Sequence, residues 1–549
     1  MRPSPSARGD DREPIATPPV QDPSREEALS RGARFWDAGG RAFSGVYWGC
    51  AFVFVAALWR VHTLPFVDYP QHLALAASLR RMAHAGAPER LLFDTNLASY
   101  NSLFHVLVAA LNFVLPIDDA GKVVVGGYFL LMAGAALALL RATGRPRARA
   151  FLLFTVLAGF SLAWGFVNFG LGLAIELFAL ARLLDGLTTR PLRWKWDVKT
   201  ALIALLGAYA HLMAAALVFA LALTVIVAAV QSERDPFALR IGRAVRRGVP
   251  FLPAIAYCLA ITVRQSAASY RSFEYASAEG NDVFALIKVR SFADYAAGLR
   301  ADGRDAKLVS AALFLLFISA VLRDPEDKRP SFLRWMWIAS AALYVVVPHV
   351  CWATNFVFQR ISFMVALTAI LWAPRALPRF EWPLRVMFVT LGVSAAGNFF
   401  VAMNNVRPEL ADLDDILSVA PPGRRILGLV WAPTTQVMAQ PVLLHAAAYY
   451  VARSGGESAF SFSRFMSLPV HYRAETLPPV PPKDFEWQPD SYDPNAAYAH
   501  YFDLVLVKTA TAGEDTPRAK IWGLHAGYVE ELAHRGQWWL FEAKGLLPR

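Results

Sequence analysis

SLFHVLVAALNFVLP, residues 102–116, is the stretch on which the fold turns. It is apolar, but at about fifteen residues it falls short of the roughly twenty that cross a hydrocarbon core of about 30 Å, and it carries His105 and Asn112. Read as a helix lying in the outer interface, it sends the next break, RATGRPRAR (residues 141–149), to the cytoplasmic side. Read as a span, it puts the four arginines of that break outside, against the positive-inside rule. The arginines decide for the interface.

Outward from that point the register is consistent. Upstream, Arg31, Arg34 and Arg41 precede a first span over residues 46–64 and place the N-terminus in the cytoplasm. Downstream, the breaks RLLDGLTTRPLRWKWDVK, SERDPFALRIGRAVRRG, RDPEDKRPSFLR and PRALPRFEWPLR all fall on the cytoplasmic side. The spacing predicts an all-α polytopic membrane protein of about eleven transmembrane helices, ending near Val401.

Composition agrees: the chain has 549 residues, 56% of them hydrophobic, and a mean hydropathy of +0.36, which a soluble protein of this length rarely tolerates. The net charge of +11 does not indicate nucleic acid, because the arginines sit at segment ends where topology accounts for them. Three cysteines, Cys50, Cys258 and Cys351, lie in or beside apolar runs and make no disulfide framework. Residues 1–44 mix proline, serine and both charge signs and read as a disordered cytoplasmic arm, with no cleavable signal before the first span.

Residues 45–404 form the expected transmembrane domain, with external loops over 65–121 and 265–305. The second loop carries YRSFEY and an amphipathic DVFALIKVRSFADYAAGL, and its length points to function. Residues 405–549 read as a small external α/β domain: a polar helix LADLDDILSVA, a strand RRILGLVWA, a helix VLLHAAAYYVARSGG, and strands FDLVLVK and QWWLFEA. ETLPPVPPKDFEWQPDSYDP is proline-rich and should hug the surface as an extended loop.

The chain has no phosphate-cradling G-x-x-x-x-G-K-S/T, no H-E-x-x-H, no C-x-x-C and no dinucleotide G-x-G-x-x-G. DLDD (residues 412–415) has an Asp-x-Asp spacing that could hold a divalent ion, but on a polar external helix it reads as a solvated face. VDYPQH puts Asp68 at the outer margin of the first span. There it fits two roles: a cap for the helix PQHLALAASLRRM, with Pro70 in its first turn, or a general base for an acceptor hydroxyl beside a lipid-borne substrate.

VDYPQHLALA, WGFVNFGLGLAI and YAHLMAAAL, within a layout of many spans and an external C-terminal domain, resemble the polytopic C-type glycosyltransferases of the GT-C fold. The resemblance implies sugar transfer from a polyprenyl-phosphate donor to a glycan, lipid or protein acceptor on the outer face of the cytoplasmic membrane, with Asp68 as base. Asp68 stands alone until Glu89 and Asp94, where wider members of the class carry paired acids, and Asp282 and Asp294 are the acids left for a metal site. The expectation is no metal and no cofactor.

His72, four residues after Asp68, is placed to orient that carboxylate or share its proton. Arg264 and Arg360 end spans on the outer side, where each could fork onto a donor phosphate or simply snorkel. Glu176 falls near the middle of its span and must face the bundle interior, in a hydrogen-bonded structural role or at a cavity floor. Asn168, His211 and His349 join it as cavity-lining candidates, and the glycines of NFGLGLA suit close helix packing. A non-catalytic transporter or binder of lipid-linked glycan, or a polysaccharide ligase or polymerase using the 265–305 loop, are the other readings of the same layout.

Overall fold

The computed structural model describes residues 40–188, 194–232, 236–267, 286–327, 329–350, 354–465, 467–482, 484–511 and 516–543. The arm up to residue 39, Asp282, Cys351 and the YRSFEY stretch lie outside them. The chain divides into two compact units, Met1–Val46 and Tyr47–Arg549. Of the first, only residues 40–46 are described, and they open the helix Arg41–Leu58.

Among the described residues, six helices are long and apolar enough to cross a bilayer: Arg41–Leu58, Ile117–Ala142, Val167–Leu187, Leu212–Gln231, Phe237–Arg264 and Pro378–Ser418. Ser331–Val346 and Val357–Trp372 are apolar but shorter. By length and composition this is fewer than the about eleven expected from the apolar runs. One cause lies in the run between RATGRPRAR and WGFVNFG, which folds as three short pieces: the 3-10 turn Arg147–Leu153 and the helices Phe154–Leu157 and Phe160–Ala163.

The decisive stretch holds only the nine-residue helix Leu103–Leu111, about 14 Å long at 1.5 Å per residue, and cannot cross a membrane. Its buried side, including Phe104 and His105, packs between the helices Tyr69–Arg81 and Ile117–Ala142.

Two polar networks mark opposite ends of the bundle. At one, Arg145 forks onto Asp327 at 2.9 and 3.2 Å, and Arg149, almost fully buried, donates to the carbonyls of Ala373 and Pro374. Arg375 reaches back to the carbonyl of Gly144 at 2.8 Å. Three of the arginine-rich breaks therefore meet. Burial of these charges is tolerable because each finds a carboxylate or carbonyl. At the other end, Arg453 binds Asp118 at 3.0 Å and Asp414 at 2.9 Å, and donates to Thr63. Asp414, read as part of a solvated face, is thus an ion-pair partner that ties the tail to the first loop.

The last span and the expected polar helix are one continuous helix, Pro378–Ser418, of 41 residues. At about 62 Å it is twice as long as a hydrocarbon core needs, so its end projects and carries the tail. The tail forms a five-stranded sheet in the order Glu457–Ser458, Arg425–Val430, Leu504–Lys508, Trp538–Ala543, Val529–Arg535. The first three strands run parallel, and the last two pair antiparallel as a hairpin. Leu427, Leu429, Val505, Val507 and Phe541 fill its core with Trp522, each such side chain contributing about 1.5–3 kcal/mol when fully buried. A second, two-stranded sheet pairs Phe93–Thr95 of the 65–121 segment with Val470–Tyr472 of the tail. It clamps the loop bearing Asp68 under the C-terminal residues.

Candidate functional site

Asp68 occupies the N-cap position of the helix Tyr69–Arg81, yet its carboxylate makes no capping bond. Its backbone is already helical, φ −89° and ψ −9°, whereas a capping side chain needs the extended conformation to reach back to N2 or N3. The cap reading of VDYPQH is corrected, and the carboxylate is left for other work. The backbone is held instead by Trp164: the N–H groups of Val67 and Asp68 donate to the carbonyls of Ala163 and Trp164, each at 3.0 Å. Gly165 makes that approach possible. It sits at φ +81°, and a Cβ there would stand 2.5 Å from the Tyr69 nitrogen and 2.7 Å from that of Asp68.

The side chain facing Asp68 comes from the tail. His445 Nδ1 lies 3.3 Å from Asp68 Oδ1, at ion-pair distance but out of hydrogen-bond alignment, with the carboxylate 16% and the imidazole 5% exposed. The His445 ring stacks on Phe460, centroids 4.4 Å apart and planes within 17°. Gln71 fixes that stretch by donating to the Phe460 carbonyl at 2.9 Å and accepting from the Phe462 N–H.

His72 does not orient Asp68. Its ring turns into the gap under the Leu103–Leu111 helix, where Nδ1 meets His105 Nε2 at 3.1 Å and Phe462 packs against it. Burial first, then the positive charge available to His105, His211, Arg360 and His445, holds the His72 imidazole well below its usual range; burial takes His105 down to about 3. Both rings stay neutral at physiological pH, one donating and one accepting.

Arg360 is buried, while Arg264 is exposed at the end of Leu252–Ala267. The Arg360 guanidinium lies 3.6 Å from the centroid of Phe166, donates from Nη2 to the carbonyl of Asn355 at 3.2 Å, and has no partner for Nε among the described residues. Asp68, His72 and His211 are all within its electrostatic reach. Its helix starts after Phe356, which is held at φ +60°, a conformation a bulky residue adopts only where the surroundings force it. Phe356 packs on Trp164 at 4.1 Å, and Trp487 of the proline-rich loop lies 6.3 Å from the same indole. The Trp164 Nε1 is buried without a partner among the described residues.

The cavity candidates separate. Asn168 accepts from the Phe104 N–H at 3.3 Å and leaves Nδ2 unpartnered. His211 abuts Gly172, sets its ring edge to Phe169 at 5.4 Å, and leaves Nδ1 unpartnered. Glu176 faces inward as expected, fully buried against Gly207, but among the described residues neither carboxyl oxygen has a partner, so the expected hydrogen bonds are not seen there. His349 bonds Gln359 at 2.8 Å and accepts the Val357 N–H on its carbonyl, which braces the turn before Arg360. Gly170 and Gly172 allow the close packing expected of NFGLGLA, against Tyr128 and His211.

Sequence reasoning passed over His445, a lone histidine in the apolar run VLLHAAAYY with no local signal to mark it. Among the described residues no group of three His, Cys, Asp or Glu side chains is arranged to hold a metal ion.

No protein-family model matches the sequence, and no curated protein matches it. Among solved structures, the chain is similar to the crystal structure of ArnT from Cupriavidus metallidurans bound to undecaprenyl phosphate, with a TM-score of 0.54 and 12% identity over 92% of this chain and 99% of that one. The apo state of the same protein aligns over the same shares at a TM-score of 0.49 and 12% identity. ArnT is a GT-C glycosyltransferase, and the likeness to its lipid-bound form gives this chain the GT-C fold that the sequence resemblance implied.

Proposed function

We propose that this chain is a membrane glycosyltransferase that moves a sugar from a polyprenyl-phosphate donor to an acceptor hydroxyl, with Asp68 as general base, His445 orienting it, and Arg360 on the donor phosphate. The observation that carries the proposal is an uncapped, partly exposed Asp68 carboxylate within electrostatic reach of a buried Arg360 whose Nε has no partner among the described residues. The ArnT structure with undecaprenyl phosphate, sharing the fold at 12% identity, supports a lipid-linked donor of that class.

In the reaction the acceptor oxygen forms a bond to the anomeric carbon as the bond from that carbon to the phosphate oxygen breaks. The acceptor proton passes to Asp68, and the polyprenyl phosphate leaves with its bonding electron pair. Arg360 stabilises the growing negative charge of the leaving group, and its seat on the Phe166 face keeps the guanidinium plane fixed. The neutral His72 and His105 add no competing cation beside the base.

The end of the bundle holding Asp68 and the tail faces outward, and the Arg145–Asp327 end faces the cytoplasm, in keeping with the arginine-rich breaks that meet there. The test is transfer by the purified full-length protein from defined polyprenyl-phosphate sugars, beside a comparison of envelope glycans with and without the gene. Donor binding without turnover under every acceptor tried would point to a transport or holding role instead.

A further inference from the structure

The helix Phe237–Gly248 stands apart from the rest of the bundle in one respect: none of its residues is buried. It follows Leu212–Ser232, whose 21 residues carry the chain about 32 Å from His211, and it precedes Val249–Phe251 and Leu252–Ala267, which hold the uncharged apolar run of the span-length segment Phe237–Arg264; it therefore lies at the end of the bundle away from Asp68. Its protein neighbours are chiefly the elements on either side of it in the chain.

At 100° per residue its side chains sort into two faces. Phe237, Ile241, Ala244 and Val245 fall together, with Phe237 70%, Ile241 44% and Val245 63% exposed. Arg243 and Arg246 lie on the opposite side, with the exposed Leu239 between them, and Arg247 and Arg240 run along one flank of the apolar face. Across residues 232–248 the sequence sets five arginines against two acids, Glu233 and Asp235. An apolar face open along its length, backed by excess positive charge and placed between two apolar helices, fits the boundary of a bilayer rather than water or a protein groove.

We propose that Phe237–Gly248 lies in the plane of the membrane surface on the side away from Asp68, sinks its Phe237–Ile241–Val245 face among the acyl chains, and gathers anionic phospholipid headgroups on its arginine face. Zwitterionic headgroups would satisfy the apolar face equally well. The charge excess is what selects for anionic lipid, at about a fivefold preference for each guanidinium that reaches a headgroup.

The test uses the full-length protein with Cys50, Cys258 and Cys351 replaced by Ala, reconstituted into phosphatidylcholine vesicles containing phosphatidylglycerol. An environment-sensitive fluorophore is attached at Ile241→Cys or Arg243→Cys, and either lipid is brominated to act as a quencher. The fluorophore at 241 should be quenched at least about twofold more than that at 243, since only the first face enters the chains. At 241, brominated phosphatidylglycerol should quench beyond its mole fraction. That excess should vanish when Arg240, Arg243, Arg246 and Arg247 are all changed to Gln and persist when all are changed to Lys. Equal quenching at 241 and 243 would overturn the in-plane placement, as for a helix covered by another protein. Quenching in proportion to mole fraction, or an excess that survives the Gln changes, would overturn the anionic selectivity.

Discussion

His445 Nδ1 stands 3.3 Å from Asp68 Oδ1, so a residue of the C-terminal α/β region closes on the carboxylate that follows the first span. The stack on Phe460 fixes the imidazole plane, and the bonds from Gln71 to the Phe460–Phe462 stretch fix Phe460. His445→Gln should therefore lower kcat on the order of tenfold by loosening the base, with the KM for donor moving less than about twofold, because in the proposed mechanism the ring acts through Asp68. Steady-state kinetics separate the two terms. Equal losses in both would make His445 a donor contact instead.

Asp68→Asn is a cleaner test now that the carboxylate is known to make no capping bond. The amide keeps the shape and the backbone bonds to Ala163 and Trp164, so the melting temperature should hardly change. Turnover should fall by about two to four orders of magnitude, the range for losing general-base catalysis. A well-folded variant with near-normal transfer would remove Asp68 from the chemistry.

Arg360→Lys keeps the charge and loses the fork. The guanidinium spreads over Phe166 and donates to Asn355, with Nε buried and unpartnered among the described residues, whereas a single ammonium cannot both stack and donate in that way. Affinity for a polyprenyl-phosphate sugar should weaken by about tenfold or more, measured by titration of the purified protein. An unchanged affinity would leave Arg360 as a packing residue.

Much of this was open to the sequence because it depended on length and charge along the chain. Residues 102–116 are too short to span, and the charge of the arginine-rich breaks at 141–149, 323–334 and 374–385 groups them on one side, in keeping with the contacts of Arg145 and Arg375 with Asp327. Arg264 and Arg360 both sit at ends of apolar runs, and the rarity of positive charge in short external loops favours Arg360 only slightly; packing is what buries Arg360 and exposes Arg264. His445 reaches Asp68, with Phe460 stacked on it, through tertiary structure alone. The break in residues 147–163 was hidden for a similar reason, since apolar composition does not report where a helix is interrupted. Val529–Arg535 alternates too weakly, with two glutamates side by side, to read as a strand.

Gly165→Ala should damage both fold and activity. The residue sits at φ +81°, and the new Cβ would meet the Asp68 and Tyr69 backbone nitrogens inside 3 Å. The backbone strain alone costs about 1–3 kcal/mol, and relief of the clash must move Asp68 away from His445. A lowered melting temperature together with a turnover loss is expected; a variant as stable and active as wild type would show that the Trp164 turn does not set the position of Asp68.

The sidedness of the bundle can be tested through its two polar networks, since each joins segments distant in sequence and so fixes them to one end. Arg145, Asp327 and Arg375 hold the first end; Thr63, Asp118, Asp414 and Arg453 hold the second. Single cysteines at the exposed positions Arg141 and Glu326, in a cysteine-free background, should react with a membrane-impermeant thiol reagent only after the cytoplasmic face is opened. Cysteines at Leu97 and Trp487, 49% and 47% exposed in the wild-type side chains, should react in intact cells. The two pairs must behave oppositely if the networks lie across the membrane from each other. Labelling of Arg141→Cys in intact cells would reverse the orientation, place Asp68 and His445 in the cytoplasm, and remove the basis for transfer to an acceptor on the outer face.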